Sequence, residues 1–508
     1  MSFINKIITK SHQFIKNNTF ILNSIKKILK LCPFLEKKIC NVIEKENKDI
    51  LLSKTGEKIF NIISSPNFEK KAKKKQKIDN ILNLIDESKI IDEKSALEQL
   101  SNIVHKTYKE NILKQIAQRT AEYLYKRTEN YLFMDLSKLS ITDAGTGIQR
   151  VTKNILKYLP NLSKYKVIPV YSPQNEFEKY GFRYCSKLAE NEKQEKEEVI
   201  EFIKDDILFF PELSIEQNIG KKEYLKYLKT KGVKIINILY DLVPIKFSDT
   251  CQNEITEIFP KYIDSILDYA DGVICDSESV AEELKEYIKE KRSNRSENLK
   301  IEWIHLGSDF EKNSNSTGIP KDSNNVFTAM EKRTTFLTVS TIEPRKMYDQ
   351  ILDAFEILWD KNQDVNLVIV GKNGWNTEKL VEKIENHREL NNKLFKLSGI
   401  SDEYLNKIYE KSSALIMASK AEGFGLGIIE ATYHKKPLII RDIPVFREIA
   451  GENAFYFTGF EGKDLANTIE KWLSLYKENE HPKSDNIKYL TWKESIQMLN
   501  KKLEKIIE

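Results

Sequence analysis

The sequence predicts an α/β protein with two Rossmann-like, doubly wound domains facing a cleft, preceded by an α-helical N-terminal extension. Three observations carry this expectation. From Tyr131 onward short apolar runs alternate with amphipathic helical segments, as in parallel sheets covered on both faces. A single polar, turn-rich stretch divides that alternation into two halves. Before residue 129 no strand-like run occurs.

In the extension (1–128), Ile21, Ile25, Ile28, Cys32 and Leu35 fall on one helical stripe with Lys26, Lys27 and Lys30 beside it. A longer helix is expected from Ser95, where Ser95-Ala-Leu-Glu98 forms a capping box. In the first α/β half (129–310) the strand-like runs are 131–136, 167–171, 206–210, 233–240, 272–275 and 301–306. Residues 311–330 contain the linker, most polar over Glu311–Asn325. The second half (331–480) repeats the pattern at 335–340, 366–370, 394–398, 413–417, 437–440 and 454–457. An amphipathic C-terminal helix is expected at about 492–506, within 481–508. Two such halves place a ligand between them, at the carboxyl ends of strands.

Composition narrows the class. At 508 residues the chain is too long for one core, and 40% hydrophobic with 31% charged residues describes a globular protein with a polar surface. The net charge of +5 is small but uneven. Lys6, Lys10, Lys16, Lys26, Lys27, Lys30, Lys37 and Lys38 face one acid, Glu36, and a second cluster runs through Lys70, Lys71, Lys73, Lys74, Lys75 and Lys77. Such segments suit an anionic surface. The near-neutral remainder, and the few aromatics interleaved with those lysines, argue against nucleic acid as a partner. Cys32, Cys40, Cys185, Cys251 and Cys275 are scattered without zinc-ligand spacing, so a disulfide framework or structural zinc is not expected and a reducing cytoplasm is. No run approaches a spanning helix, and Lys6, Lys10 and Lys16 interrupt any signal-peptide core.

The strongest local string is Glu422-Gly-Phe-Gly-Leu-Gly-Ile-Ile-Glu430, after the apolar run Ala414–Ala418. Gly423, Gly425 and Gly427 allow backbone to pass close to a ligand, and a helix starting there favours a phosphate at its N-terminus. Glu422 is expected before that helix and Glu430 about two turns into it, and eight residues of helix span roughly 12 Å. That exceeds the carboxylate separations of retaining and inverting glycosidases and suits two ends of one long ligand. The alternative is a glycine-rich turn with a capping carboxylate and a surface Glu. A second string, Glu343-Pro-Arg-Lys346, follows the run Phe336–Ser340 and sets two cations at the cleft edge. They could neutralise a diphosphate, or simply form a solvated basic turn. No Asp-X-Asp occurs, a common way of seating a metal ion on a nucleotide sugar.

In this order, the two strings resemble the retaining glycosyltransferases of family 4, which have the GT-B fold. Thr341-Ile-Glu-Pro-Arg-Lys346 is similar to the family's phosphate-binding turn and Glu422–Glu430 to its Glu-X7-Glu motif, with Val370-Gly-Lys-Asn-Gly374 and Leu397-Ser-Gly-Ile-Ser401 at its post-strand loops. The resemblance covers about 130–508, more loosely in the first half. It implies that Arg345 and Lys346 bind the leaving diphosphate, that Glu422 lies beside the transferred sugar, and that Glu430 holds the ribose. It also implies main-chain contacts to the donor from Gly423, Phe424, Gly425 and Leu426, with Gly371 in a donor-facing loop and Ile400 at the base. In the first half, Asp143-Ala-Gly-Thr-Gly-Ile-Gln-Arg150 resembles the acceptor-side glycine loop, placing Gly147 near the donor phosphates and Gly145 near sugar or acceptor; an ordinary strand-to-helix turn is the other reading. Tyr240-Asp-Leu-Val-Pro244 resembles a His-Asp-Leu-X-Pro turn with Tyr240 in place of His, leaving Asp241 as a sugar or acceptor contact or a helix cap. At Asp276-Ser-Glu-Ser279 the structural reading is preferred, with Ser279-Val-Ala-Glu282 as a capping box. His305 is expected to pack at a strand end.

The function so implied is retaining, metal-independent hexosyl transfer, with GDP-mannose the first choice of donor and a glycan or lipid-linked acceptor in surface polysaccharide (lipopolysaccharide) synthesis. The nucleotide sugar is a substrate and no cofactor is called for. A catalytically silent glycan-binding or scaffold protein on the same fold is the alternative. The expected location is cytoplasmic. The basic extension either lies peripherally on the inner face of the membrane or is a solvated or partner-docking helical segment.

Overall fold

The computed structural model describes residues 129–172, 181–188, 200–291, 299–308, 316–321 and 323–508. The expected stripe at 21–35, the Ser95 capping box and both lysine clusters lie outside them. Each half is built on a parallel sheet. In the first, β1 (Tyr131–Asp135), β2 (Lys166–Tyr171), β3 (Arg183–Tyr184), β4 (Ile207–Phe210), β5 (Lys234–Leu239), β6 (Gly272–Cys275) and β7 (Lys300–Trp303) take the order β3-β2-β1-β4-β5-β6-β7. In the second, β8 (Thr334–Val339), β9 (Val365–Val370), β10 (Leu394–Leu397), β11 (Ala414–Met417), β12 (Leu438–Arg441) and β13 (Phe455–Phe457) take the order β10-β9-β8-β11-β12-β13.

These strands are legible as apolar runs because both faces of each sheet are covered: β4, β6, β9, β11 and β12 are buried at every residue. The strand order reverses beside the first strand of each sheet, between β1 and β4 and between β8 and β11. The loops leaving paired strands diverge at such a point, opening a crevice at their carboxyl ends. The loops after β8 and β11 carry Arg345–Lys346 and Glu422 respectively.

Of the helices, those that matter for the site are α1 (Gly147–Tyr158), α2 (Glu278–Lys291), α3 (Ser323–Lys332), α4 (Asp402–Lys411), α5 (Leu426–Tyr433), α6 (Pro444–Ala450) and α7 (Trp492–Ile507). Helix α3 corrects the expectation for 311–330: it begins inside that stretch. Asn324 and Asn325 make its start look like a turn, but Val326, Ala329 and Met330 form a buried face that holds it helical. Ahead of it, Ser316 donates to Asp402 at the start of α4 (3.1 Å from N, 3.0 Å from Oγ), and Gly318 N donates to Glu403 (2.7 Å).

Helix α7 returns to the first sheet. It starts with a capping box in which Glu494 N donates to Thr491 Oγ1 (3.2 Å) and Thr491 N to Glu494 Oε2 (2.8 Å). Leu499, Leu503 and Ile506 are buried. Ser495 Oγ donates to His305 O (2.7 Å) and Lys502 Nζ to Glu302 (2.7 Å). The chain leading into it bridges to the first half at Gly307–Leu490. A Cβ on Gly307 would stand 2.5 Å from the Trp492 backbone, and backbone cannot rotate away as a side chain can. Gly307→Ala is therefore expected to lower unfolding stability by about 1–3 kcal/mol, as for overpacking generally, read as a fall in the denaturation midpoint of the full chain.

Candidate active site

After β8 the chain pairs with the loop that follows β9, Gly374 N donating to Ile342 O (2.7 Å) and Ile342 N to Lys372 O (2.9 Å). Pro344–Lys346 form one turn of 3-10 helix, ended by Met347 at φ 54°. This turn aims two cations at the loop after β11. Arg345 Nη1 donates to Glu422 Oε2 (2.6 Å) and to Ala421 O (2.8 Å), and Nη2 to Glu343 Oε1 (2.6 Å). Lys346 Nζ and Ser419 Oγ both donate to Glu422 Oε1, the latter at 2.6 Å. The Glu422 side chain is only 8% exposed. Burial alone would raise its pKa, but Arg345 and Lys346 outweigh that and bring it to about 2. Glu422 is thus a fixed carboxylate. Burial pulls Lys346 below its ordinary value against the opposing pull of Glu422, while Glu422 and Glu343 overcome burial to raise Arg345.

Between Glu422 and α5 the backbone turns through Gly425, at φ 102°, a conformation glycine adopts without strain. The helix begins only at Leu426, so Glu430 lies about one turn into it, not two. A helical rise therefore does not measure the Glu422–Glu430 separation. The two carboxylates do occupy separate settings. Glu430 Oε1 accepts from Arg150 Nη1 (3.1 Å), on α1 of the first half, and Oε2 from Tyr409 OH (3.1 Å).

The same loop meets the first half directly. Gly423 packs so closely on the Tyr240 carbonyl that any Cβ would collide with it, and would stand 2.9 Å from Asp276 Oδ2. Ser277 Oγ donates to Gly423 O (2.7 Å). Phe424 is buried, its ring 5.7 Å from that of His305. A second contact lies alongside: Glu448 on α6 accepts from Glu278 N (2.8 Å), Ser279 N (2.8 Å), Ser279 Oγ (2.6 Å) and His305 Nε2 (2.8 Å). This corrects the reading of Ser279 as the cap. Ser277 precedes α2 and its Oγ accepts from Val280 N (3.2 Å); Ser279 is inside the first turn and serves Glu448. His305 sits two residues beyond β7, between Trp303 and Phe424.

The remaining expected positions vary in setting. Asp241 Oδ1 accepts from Val243 N (3.0 Å), at the start of the short helix Val243–Lys246. Burial raises its pKa, with Arg345 and Glu422 among its charged neighbours. Asp276, buried beside it, is raised further by burial and by Asp241. Gly145 (φ 65°) lies in an exposed loop and Gly147, also exposed, opens α1; a Cβ at either would meet nothing within 4 Å. Gly371 packs against the Ser340 carbonyl and donates to Leu397 O (2.9 Å). Ile400 is half-buried in the β10–α4 loop. Among the described residues no group of three or more His, Cys, Asp and Glu is placed to hold a metal ion. The structure thus gathers Arg345, Lys346, Glu422 and Asp241 at one place, and Glu430 and Arg150 at another. Sequence reasoning missed Arg150, Tyr409, Ser419, Ser277 and Glu448. Ser419 carried a local signal as a hydroxyl in the loop that ends at Glu422, Ser277 lay inside the Asp276–Ser279 string and Arg150 closed the Asp143–Arg150 string; Tyr409 and Glu448 carried none.

Two doubly wound sheets, with cations and a buried carboxylate at the switch point of the second, define the GT-B glycosyltransferase fold. In agreement, the structure of Anabaena Alr3699/HepE in complex with UDP and glucose superposes with a TM-score of 0.51 at 14% identity, over 74% of this chain and 100% of that one. Residues 321–489 match the family described as glycosyl transferases group 1, and the second half of the chain is a domain of that kind. Curated relatives include two Escherichia coli proteins named serotype-specific mannosyltransferase WbdA. One is 41% identical over 392 residues (76% of this chain, 48% of that protein), the other 38% identical over 435 residues (84% and 53%). The O-antigen chain mannosyltransferase RfbU of Salmonella typhimurium is 30% identical over 141 residues, 28% of this chain and 38% of that protein. The chain spans about half the length of the WbdA relatives.

Removing Glu422 leaves two buried cations without their shared anion. Glu422→Gln is expected to cost about 3–5 kcal/mol of stability at neutral pH, as for a broken buried pair. Because its pKa is depressed in the fold, the contribution is full above the unfolded carboxyl value and is lost as pH falls towards about 2. Denaturant unfolding of wild type and variant should therefore differ most above about pH 5 and converge in acid. Gly423→Ala, which forces the loop off Tyr240, is expected to open the two halves, visible as a larger radius of gyration in solution scattering.

Proposed function

We propose that the chain transfers a mannosyl residue from GDP-mannose, with retention at the anomeric carbon and without a metal ion, to a glycan or lipid-linked acceptor in surface polysaccharide synthesis. The observation that carries this reading is the meeting of Arg345, Lys346 and Glu422 at the switch point of a group 1 domain. The names of the WbdA and RfbU relatives support the choice of mannose.

Arg345 and Lys346 hold the donor diphosphate and offset the charge it gains on leaving. Glu422, held ionised, serves the developing oxocarbenium charge and the sugar hydroxyls rather than acting as an acid. The acceptor oxygen bonds to the anomeric carbon as the carbon–phosphate oxygen bond breaks. The acceptor proton passes to an oxygen of the departing diphosphate. Glu430 accepts from the ribose hydroxyls, main chain from Gly423 to Leu426 and at Gly147 faces the donor phosphates, and Ile400 meets the base. Asp241 and the Gly145 loop face sugar or acceptor. Positioning and electrostatic stabilisation of the leaving group supply the rate. The reaction is assigned to the cytoplasmic face of the membrane, with the basic residues of 1–128 making a peripheral contact.

The test is transfer by the purified full chain from GDP-mannose, UDP-glucose, UDP-N-acetylglucosamine and dTDP-rhamnose, with linkage read by NMR. Transfer from GDP-mannose giving an α-linkage is expected, and Arg345→Ala or Lys346→Ala should each lower kcat roughly 10²–10³-fold. No transfer, hydrolysis or thermal shift with any donor would overturn the reading; binding without turnover would favour a silent scaffold instead.

A further inference from the structure

We infer that Arg150 is a positioning residue which completes the nucleotide's ribose site from the opposite domain, so that ribose recognition depends on domain closure. The inference rests on the reading of Glu430 as the ribose-binding carboxylate and adds to it a residue from the other half of the chain.

Arg150 stands in the first turn of α1, where its amide donates to Thr146 O (2.9 Å). A cation there meets the positive end of the helix dipole, which disfavours it, and no acidic residue in that turn offsets it. The guanidinium instead reaches across the cleft to Glu430. The pair is half-exposed, with side chains 40% and 21% accessible, and such pairs add little to stability. Neither helix stability nor fold stability accounts for Arg150, and orientation of Glu430 does.

A carboxylate has about four lone-pair directions. Arg150 takes one on Oε1 and Tyr409 one on Oε2, leaving one on each oxygen for a pair of adjacent hydroxyls. Tyr409 is held by its own stacking on His434, with centroids 4.8 Å apart and planes 4° apart. Burial and the Glu430 charge push its phenol well above the ordinary pKa, so it remains a donor. Tyr409 belongs to the same half as Glu430, and Arg150 to the other. The carboxylate is therefore gripped from both sides only while the halves are closed. By linkage, ribose binding favours closure as strongly as closure favours ribose binding.

The experiment compares the full-length wild type with Arg150→Met, which keeps the apolar stem, and with the conservative Arg150→Lys. Calorimetry measures their affinity for GDP and UDP and for the 2′,3′-dideoxy forms of each. For whichever nucleotide binds, wild type is expected to prefer the ribose form roughly tenfold, a factor typical of one or two well-aimed hydrogen bonds. Arg150→Met should reduce that ratio to under about threefold by weakening the ribose form alone, with Arg150→Lys between. A merely structural role would weaken both forms equally and leave the ratio unchanged, which overturns the inference while sparing the reading of Glu430. If wild type itself shows no preference for ribose, or binds neither nucleotide, both fall together.

Discussion

At Gly423 the carbonyl of Tyr240 occupies the space that any Cβ would need. Two backbones from opposite halves of the chain meet there without an intervening side chain, and the rest of the cleft follows from how closely they approach. That approach lets Ser277 reach the Gly423 carbonyl and brings α2 within reach of Glu448. It also carries Arg150 across to Glu430 and sets Asp241 in the field of Arg345. A glycine in this string reads naturally as a place where a ligand needs room. In the structure the room is taken by protein, and the glycine's first role is to let the domains dock.

The cleft sorts its carboxyl groups by what surrounds them. Glu422 is buried yet ionised, because two cations and a hydroxyl converge on it. Asp276 is buried and Asp241 half-buried without that convergence; desolvation raises both, and Asp241 raises Asp276 further. Asp276 Oδ1 has no hydrogen-bond partner among the described residues, so its charged form is disfavoured. One wall of the cleft is thus fixed as an anion, and the facing wall is biased towards neutral carboxyls. Repulsion across the interface is correspondingly smaller than the number of acids suggests.

Helix α7 gives the closed form a second tie. It follows the second domain in sequence but covers the first sheet, through Leu499, Leu503 and Ile506. The link between halves is therefore made twice, once through the stretch before α3 and once through the chain entering α7. The chain entering α7 and the docking point at Gly423 define the closed arrangement in which Arg150 meets Glu430.

Much of this was legible in the sequence, for a physical reason. Strands covered on both faces must be apolar throughout, so all the strand-like runs in both halves correspond to strands. Glycines and paired charges directly after strands marked the loops at the switch point, because only those loops face a crevice. Failures came where local chemistry allowed two answers. Ser277 and Ser279 are equally able to cap a helix, and Glu448, some 170 residues away, decided that Ser279 would be drawn elsewhere. Asn324 and Asn325 suit a turn, and burial of Val326, Ala329 and Met330 made them helical. Spacing alone put Glu430 about two turns into its helix, whereas the left-handed Gly425 delays the first turn to Leu426. The sequence by itself determined the layers, the order of elements and the identity of the charged loops, since these follow from periodicity and side-chain chemistry within short windows. The tertiary structure alone decided which charges meet. Arg150 and Glu430 are 280 residues apart, and no local pattern encodes a contact that exists only when two separately folded sheets close.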